Sequence, residues 1–158
     1  MPNKPPANKY YFKNKTLAAA LAAFLGLFGA HRFYLEGPSG WRPWLYPMWF
    51  LGVGTCALRY LERLHPDFPA DFIQLLHPAL FAALLPGFVG FVEALVFSLM
   101  PDTRWDARYN PESERHSHSG ALAILIAVIT LAGGLTALLS VLAISTEAYV
   151  VATTRPAS

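Results

Sequence analysis

Glu93 is the residue of this chain with the most chemistry to explain, because the run from Ala79 to Met100 around it is otherwise uncharged. A carboxylate in such surroundings must pair with a base, reach water or keep its proton through a raised pKa. The bases placed to meet it are His31 and Arg32, which end the first apolar run in the stretch Gly26-Leu27-Phe28-Gly29-Ala30-His31-Arg32-Phe33-Tyr34-Leu35. An arginine near the end of a membrane span snorkels to phosphate or finds a carboxylate. Glu93 with Arg32, or with His31, is therefore the candidate intramembrane ion pair, and a structure placing them in different leaflets would dismiss it. Glu147, near the exit of the last apolar run, is expected to snorkel.

Other constellations carry less. His116-x-His118 invites a metal reading, but only Glu112, Glu114 and the distant His65 or His77 could complete a ligand set, and the spacing fits no zinc motif. A solvated loop is the better account, and no metal site is assigned. No phosphate loop, nucleophile elbow or acid–base pair is present in the sequence, so neither a catalytic residue nor a cofactor is expected. The basic residues are dispersed and the formal charge is only +2, which gives nucleic-acid binding no support. The lone Cys56 excludes an intrachain disulfide and reads as a small buried hydrophobe.

The elements that position these residues follow from composition. Apolar residues make up 54% of the chain and charged residues 14%, against roughly 25% charged in a soluble domain. The run from Ser117 to Thr146 is uncharged apart from His118 and exceeds the roughly 20 residues that cross a hydrocarbon core. The expected fold is all-α, a polytopic membrane protein with a bundle of four transmembrane helices. Residues 1–15 form a basic tail with Lys4, Lys9, Lys13 and Lys15 and no acid. An uncleaved first helix is expected from Thr16, its N-cap, through His31 and Arg32 toward Leu35, because Phe28 and Leu21 spoil the cleavage pattern of a signal peptide.

Glu36-Gly37-Pro38-Ser39-Gly40 reads as a turn. Trp41, Trp44, Tyr46 and Trp49 then mark a membrane interface at the start of a second span, with Pro47 tolerated near its beginning. The domain plan is a helical hairpin over 16–61, a connector over 62–77 with a short interfacial helix from Asp71 to His77, a second helix pair over 78–152 joined by a polar loop at 101–119, and a tail at 153–158. Pro86, Gly87 and Gly90 interrupt the third span, which demands close packing. Gly26-x-x-Gly29 and Gly87-x-x-Gly90 are the candidate helix-packing strips. Four spans put both termini on one side, and counting Lys and Arg puts seven inside and five outside, which makes that side cytoplasmic.

From Lys15 to about Leu61 the chain resembles the TM-2 domain family, whose pattern Gly-x-x-Gly-x-His-Arg-Phe-Tyr-Leu-Gly is matched by Gly26, Gly29, His31, Arg32, Phe33, Tyr34 and Leu35. Glu36 stands where the family has its final glycine, with Gly37 one place late. The second helix carries Gly52 to Arg59 where many members place an intramembrane acid. The resemblance implies a bacterial-type multipass protein, hence the bacterial inner membrane, and a family without an established enzyme activity. The expected role is a non-enzymatic scaffold or accessory subunit that contacts lipids, other membrane proteins or a second copy through the glycine strips and the His31-Arg32 cluster. The alternative is a small transporter or proton-coupled channel using Glu93.

Overall fold

The computed structural model describes residues 12–64 and 78–154, and every regular element among them is helical. The expected interfacial helix from Asp71 to His77 lies outside the described residues. The helices are α1 (Lys15–Leu25), α2 (Ala30–Glu36), α3 (Arg42–Leu64), α4 (Pro78–Leu99), α5 (Asp102–Tyr109) and α6 (Ala121–Thr154).

Instead of running on toward Leu35, the first apolar run breaks. Asn14, rather than Thr16, caps α1 by accepting from the Leu17 N–H at 3.1 Å. The helix gives way at Leu25 to a 3-10 turn over Gly26–Phe28, and Gly29 closes it in the left-handed region with φ 68°. A side chain is disfavoured there on backbone grounds, and a Cβ would also stand 2.9 Å from the Tyr46 side chain. The short α2 then returns alongside α1. The Asn14 N–H donates to the Tyr34 hydroxyl at 2.7 Å and the Lys13 ammonium to the Leu35 carbonyl, so the segment ends where it began. Gly37, φ 76°, ends α2 with its N–H on the Phe33 carbonyl.

Depth explains why this break matters. The eleven residues of α1 rise about 16 Å at 1.5 Å per residue, roughly half the ~30 Å hydrocarbon thickness. Among the described residues, two helices are long and apolar enough to span, within Phe81–Leu99 and Ala121–Glu147. The apolar stretch Lys15–Phe28 is shorter. The α3 helix has 23 residues, a sufficient length, but mixes its apolar residues with polar and charged ones.

At the centre, α4 packs against α1, α3 and α6. It runs antiparallel to α1: the Lys15 ammonium reaches the Met100 carbonyl, while Gly26 lies backbone to backbone on Gly90, where an added Cβ would meet the opposite Cα at 2.6–2.7 Å. Pro86 deprives the Ala82 carbonyl of its helical donor. The Trp49 indole of α3 supplies the replacement at 2.8 Å, so a neighbouring helix covers the opened hydrogen bond. Pro47 sits in the sixth position of α3, past the first turn, and the Pro43 carbonyl it would have paired faces Gly29.

The segment 101–119, expected as a solvated loop, holds α5 and closes over the start of α1. Trp105 is fully buried and its indole donates to the Lys13 carbonyl at 2.9 Å. Asn110 accepts from the Lys13 N–H at 2.8 Å and donates back to its carbonyl at 3.1 Å. Phe97 packs edge-on against Trp105 and Tyr109, whose rings are tilted against each other. By contrast α6 presents apolar side chains outward, with Leu122, Ile124, Val128, Leu131, Leu138 and Leu142 all more than half exposed. Apolar surface of that extent belongs in hydrocarbon. Cys56, expected to be buried, is exposed on α3.

Candidate functional site

Fold-back of α2 carries His31 and Arg32 inward onto α4 at the level of Glu93. One turn into α3, Tyr46 approaches the same carboxylate. Glu93 receives His31 Nε2 and the Tyr46 hydroxyl on Oε2, the latter at 2.9 Å, and an Arg32 guanidinium N–H on Oε1. Arg32 spends its other arm on Glu36 at 2.8 Å, an i,i+4 pair on its own helix. The site thus ties α2, α3 and α4 together through one acid.

Burial sharpens the arrangement. His31 is fully buried, with Tyr46 edge-on at 5.3 Å between ring centroids and Phe97 at 6.1 Å. Its Nδ1 has no hydrogen-bond partner. Glu93 is 15% exposed and Arg32 25%, so the ion pair lies mostly away from solvent, where a charge without its partner is costly. Glu36 neutralises the outer side of Arg32. The glycine turn is supplied one position later by Gly37.

The family-motif residues divide between packing and chemistry. Gly26 and Gly29 are buried against Gly90 and Tyr46, and Leu35 joins the core with Ala18, Ala94, Phe97 and Trp105. Phe33 packs edge-on against Trp44 at 5.1 Å, and Tyr34 holds the Asn14 N–H. Gly87 lies within van der Waals distance of Leu27. The glycine strips serve helix packing inside the bundle, as their spacing suggests. Sequence reasoning placed Tyr46 among the interfacial aromatics. Its spacing beyond Trp41, about one helical turn deeper, was the available sign that its hydroxyl would need a partner within the bundle.

A second polar cluster lies at the end of the bundle outside the spans. Lys15 reaches Asp102 at 2.8 Å, and Asp102 also accepts from the Ser119 N–H at 2.7 Å and the Ser119 hydroxyl. Burial opposes ionisation of Asp102, but Lys15 and both Ser119 donors outweigh it and hold the carboxyl at about 2, below its ordinary 3.8. Asp106 shows the same balance: against burial, the Ser117 hydroxyl and N–H, Asn110 and the nearby His116 keep its pKa below the ordinary value. His116 lies 3.7 Å from Asp106 and His118 is exposed. Among the described residues no three His, Cys, Asp or Glu side chains converge as a metal site would require.

The model of the TM2 domain family matches residues 12–58, the stretch that contains the break, the motif and most of α3. No curated protein and no solved structure matches the chain. That match and the two helices long and apolar enough to cross a membrane mark this as a membrane protein.

Proposed function

We propose that this chain is a non-enzymatic scaffold or accessory subunit of the cell membrane, in which a half-depth hairpin is locked onto three crossing helices, α3, α4 and α6. The observation that carries the reading is the use made of Glu93. The one acid well inside α4 is consumed by three donors from two other elements, and so acts as a tie. Partners, whether lipids, other membrane proteins or a second copy, meet the outward faces of α3 and α6, since Gly26 and Gly90 are buried within the bundle.

Topology is part of this reading. Because α1 and α2 start and finish at the same end of the bundle, an odd number of crossings remains, and the two ends of the described chain face opposite sides. Among the described residues Lys13, Lys15, Arg32, Arg42, Arg104, Arg108 and Arg115 stand toward the α5 end, while Arg59 and Arg63 stand toward the other. That bias is wider than the one obtained from four spans, and it supports a cytoplasmic α5 end. On this reading the C-terminal end of α6 lies outside, where the four-span plan has it in the cytoplasm.

Single cysteines at Ser39 and Glu114 in a Cys56→Ser background test the arrangement. Both are expected to resist a membrane-impermeant maleimide in intact cells and to react after permeabilisation. Labelling of either cysteine in intact cells would reverse the proposed orientation. A proton-coupled transporter is the second reading, favoured by the unpartnered, buried His31 Nδ1 beside Glu93. Proton flux into vesicles containing the protein, lost in Glu93→Gln, would replace the scaffold with that activity. The expected result is no flux above empty vesicles from either protein.

A further inference from the structure

Along α5, Asp102 and Asp106 alternate with Arg104 and Arg108, so the helix is neutral by sequence. Folding separates the two signs. Counted from Trp105 at about 100° per residue, the aspartates fall about 60° and 100° to one side of the helix and the arginines about 100° and 60° to the other. Trp105, between them, is fully buried. The acidic flank turns to the residues leading into α6, where Asp102 accepts from the Ser119 N–H at 2.7 Å and Asp106 from the Ser117 N–H at 2.8 Å. Lys15 also holds Asp102. The basic flank is left exposed. Among the described residues no ion pair involves Arg104 or Arg108. Arg108 rests its guanidinium 5.5 Å from the centroid of the neighbouring Tyr109 ring.

The depth of this flank is fixed by Phe97. Trp105 and Tyr109, one turn apart, both meet the Phe97 ring, at 5.5 and 6.4 Å between centroids, so α5 lies across the end of α4 instead of continuing it. Phe97 stands just before the end of the apolar stretch Phe81–Leu99. With Trp105 directed into the bundle, the flanks of α5 look sideways at the end of a span, which is the level of the lipid phosphates. The face opposite Trp105, the one a soluble partner would meet, carries the uncharged Thr103 and Ala107. Residues four apart on a helix stand about 5–6 Å from each other, close enough for two guanidinium groups to share one phosphate through charge-assisted hydrogen bonds. A zwitterionic lipid keeps its own cation beside that phosphate, whereas an anionic lipid leaves the charge to the protein.

We propose that the Arg104–Arg108 flank of α5 binds the phosphate of an anionic phospholipid in the adjoining leaflet. Burial of Trp105 sets the helix across the bundle, the serines before α6 draw both aspartates away, and the two arginines are thereby presented together to the headgroup layer. The site rests on the membrane setting shared with the proposed function, and on neither the scaffold role nor the orientation.

The test uses the full chain in detergent, titrated with an equimolar mixture of phosphatidylglycerol and phosphatidylcholine of the same acyl chains, with the bound lipids counted by native mass spectrometry. The first lipid bound is expected to be phosphatidylglycerol by about tenfold over phosphatidylcholine. Arg104→Gln with Arg108→Gln should bring the two lipids near parity, while Arg104→Lys with Arg108→Lys, which keeps both charges, should retain the preference. Arg59→Gln with Arg63→Gln, the same change of charge at the other end of the bundle, should leave it intact. Equal binding of the two lipids by the parent protein, an undiminished preference in the double glutamine variant, or loss of the preference in the double lysine variant overturns the site. An equal loss in the Arg59 and Arg63 variant reduces it to an effect of net charge and also overturns it, as does displacement of the lipid by millimolar inorganic phosphate. Neither the Ser39 accessibility nor the flux result enters these outcomes, so failure of either proposal is recognisable separately.

Discussion

The hairpin of α1 and α2 and the long helix α6 lean on the same central helix, yet they are held there by different means. The hairpin is fastened at specific points: Glu93 to three donors, Gly26 backbone on Gly90, Lys13 to Leu35 and Asn110, and Lys15 to Asp102. Along α6, Thr136, Ser140, Thr146 and Thr154 turn back on their own backbone, and the apolar side chains look outward. A segment too short to span needs directed bonds to hold its depth, because its broken backbone must be covered by protein. A 34-residue apolar helix is held by the hydrocarbon itself.

This contrast can be broken or sharpened by substitution, the largest effect being expected at Glu93. Replacing Glu93 with Ala leaves Arg32 without its buried partner and is expected to lower stability by about 3–5 kcal/mol, read from denaturant unfolding in detergent. The double change Glu93→Gln with Arg32→Met should recover a large part of that loss, because no uncompensated charge remains. If Glu93→Ala unfolds like the parent protein, the hairpin is not held by this pair.

Next in size are the glycines. Gly90→Ala drives a Cβ into the Gly26 backbone and is expected to cost about 1–3 kcal/mol through overpacking. Gly133→Ala, in open space on α6, should be neutral or stabilise by up to about 1 kcal/mol from helix propensity. Equal losses at the two positions would erase the distinction between the regions.

Acid reports on the α5 clamp. The folded pKa of Asp102 lies below its unfolded value, so the bond stabilises above pH 3.8 and that stability is lost as the pH falls toward about 2. Unfolding followed between pH 5 and pH 2 should show this decline, and Asp102→Asn should remove its share of the slope while weakening the protein at neutral pH. The smallest effect is expected for Leu139→Ala on the outer face of α6, within about 0.5 kcal/mol in detergent.

Much of the site was legible from residue types alone. An acid within an apolar run and a His-Arg pair at the end of another leave few ways to satisfy both, and the structure brings Glu93, His31 and Arg32 together. Tyr46 was harder to see, because the same ring serves an interfacial belt or a buried hydrogen bond, and only the neighbour across the bundle distinguishes them. The break at Gly26–Gly29 was visible as a packing strip but not as a reversal. An Ala- and Leu-rich stretch has high helix propensity on either side of a glycine, and nothing local demands that φ turn positive.

Composition and the spacing of apolar residues determined by themselves that this chain is helical and membrane-embedded, because burial in hydrocarbon requires internally bonded backbone and long uncharged runs. Tertiary structure alone decided that the first run folds back, that Trp49 covers the Ala82 carbonyl opened by Pro86, and that segment 101–119 clamps the start of α1. These depend on contacts between residues far apart in the chain. Hydropathy is a sum over neighbours in sequence, whereas a reversed helix or an open carbonyl is settled by whichever distant donor or backbone lies against it.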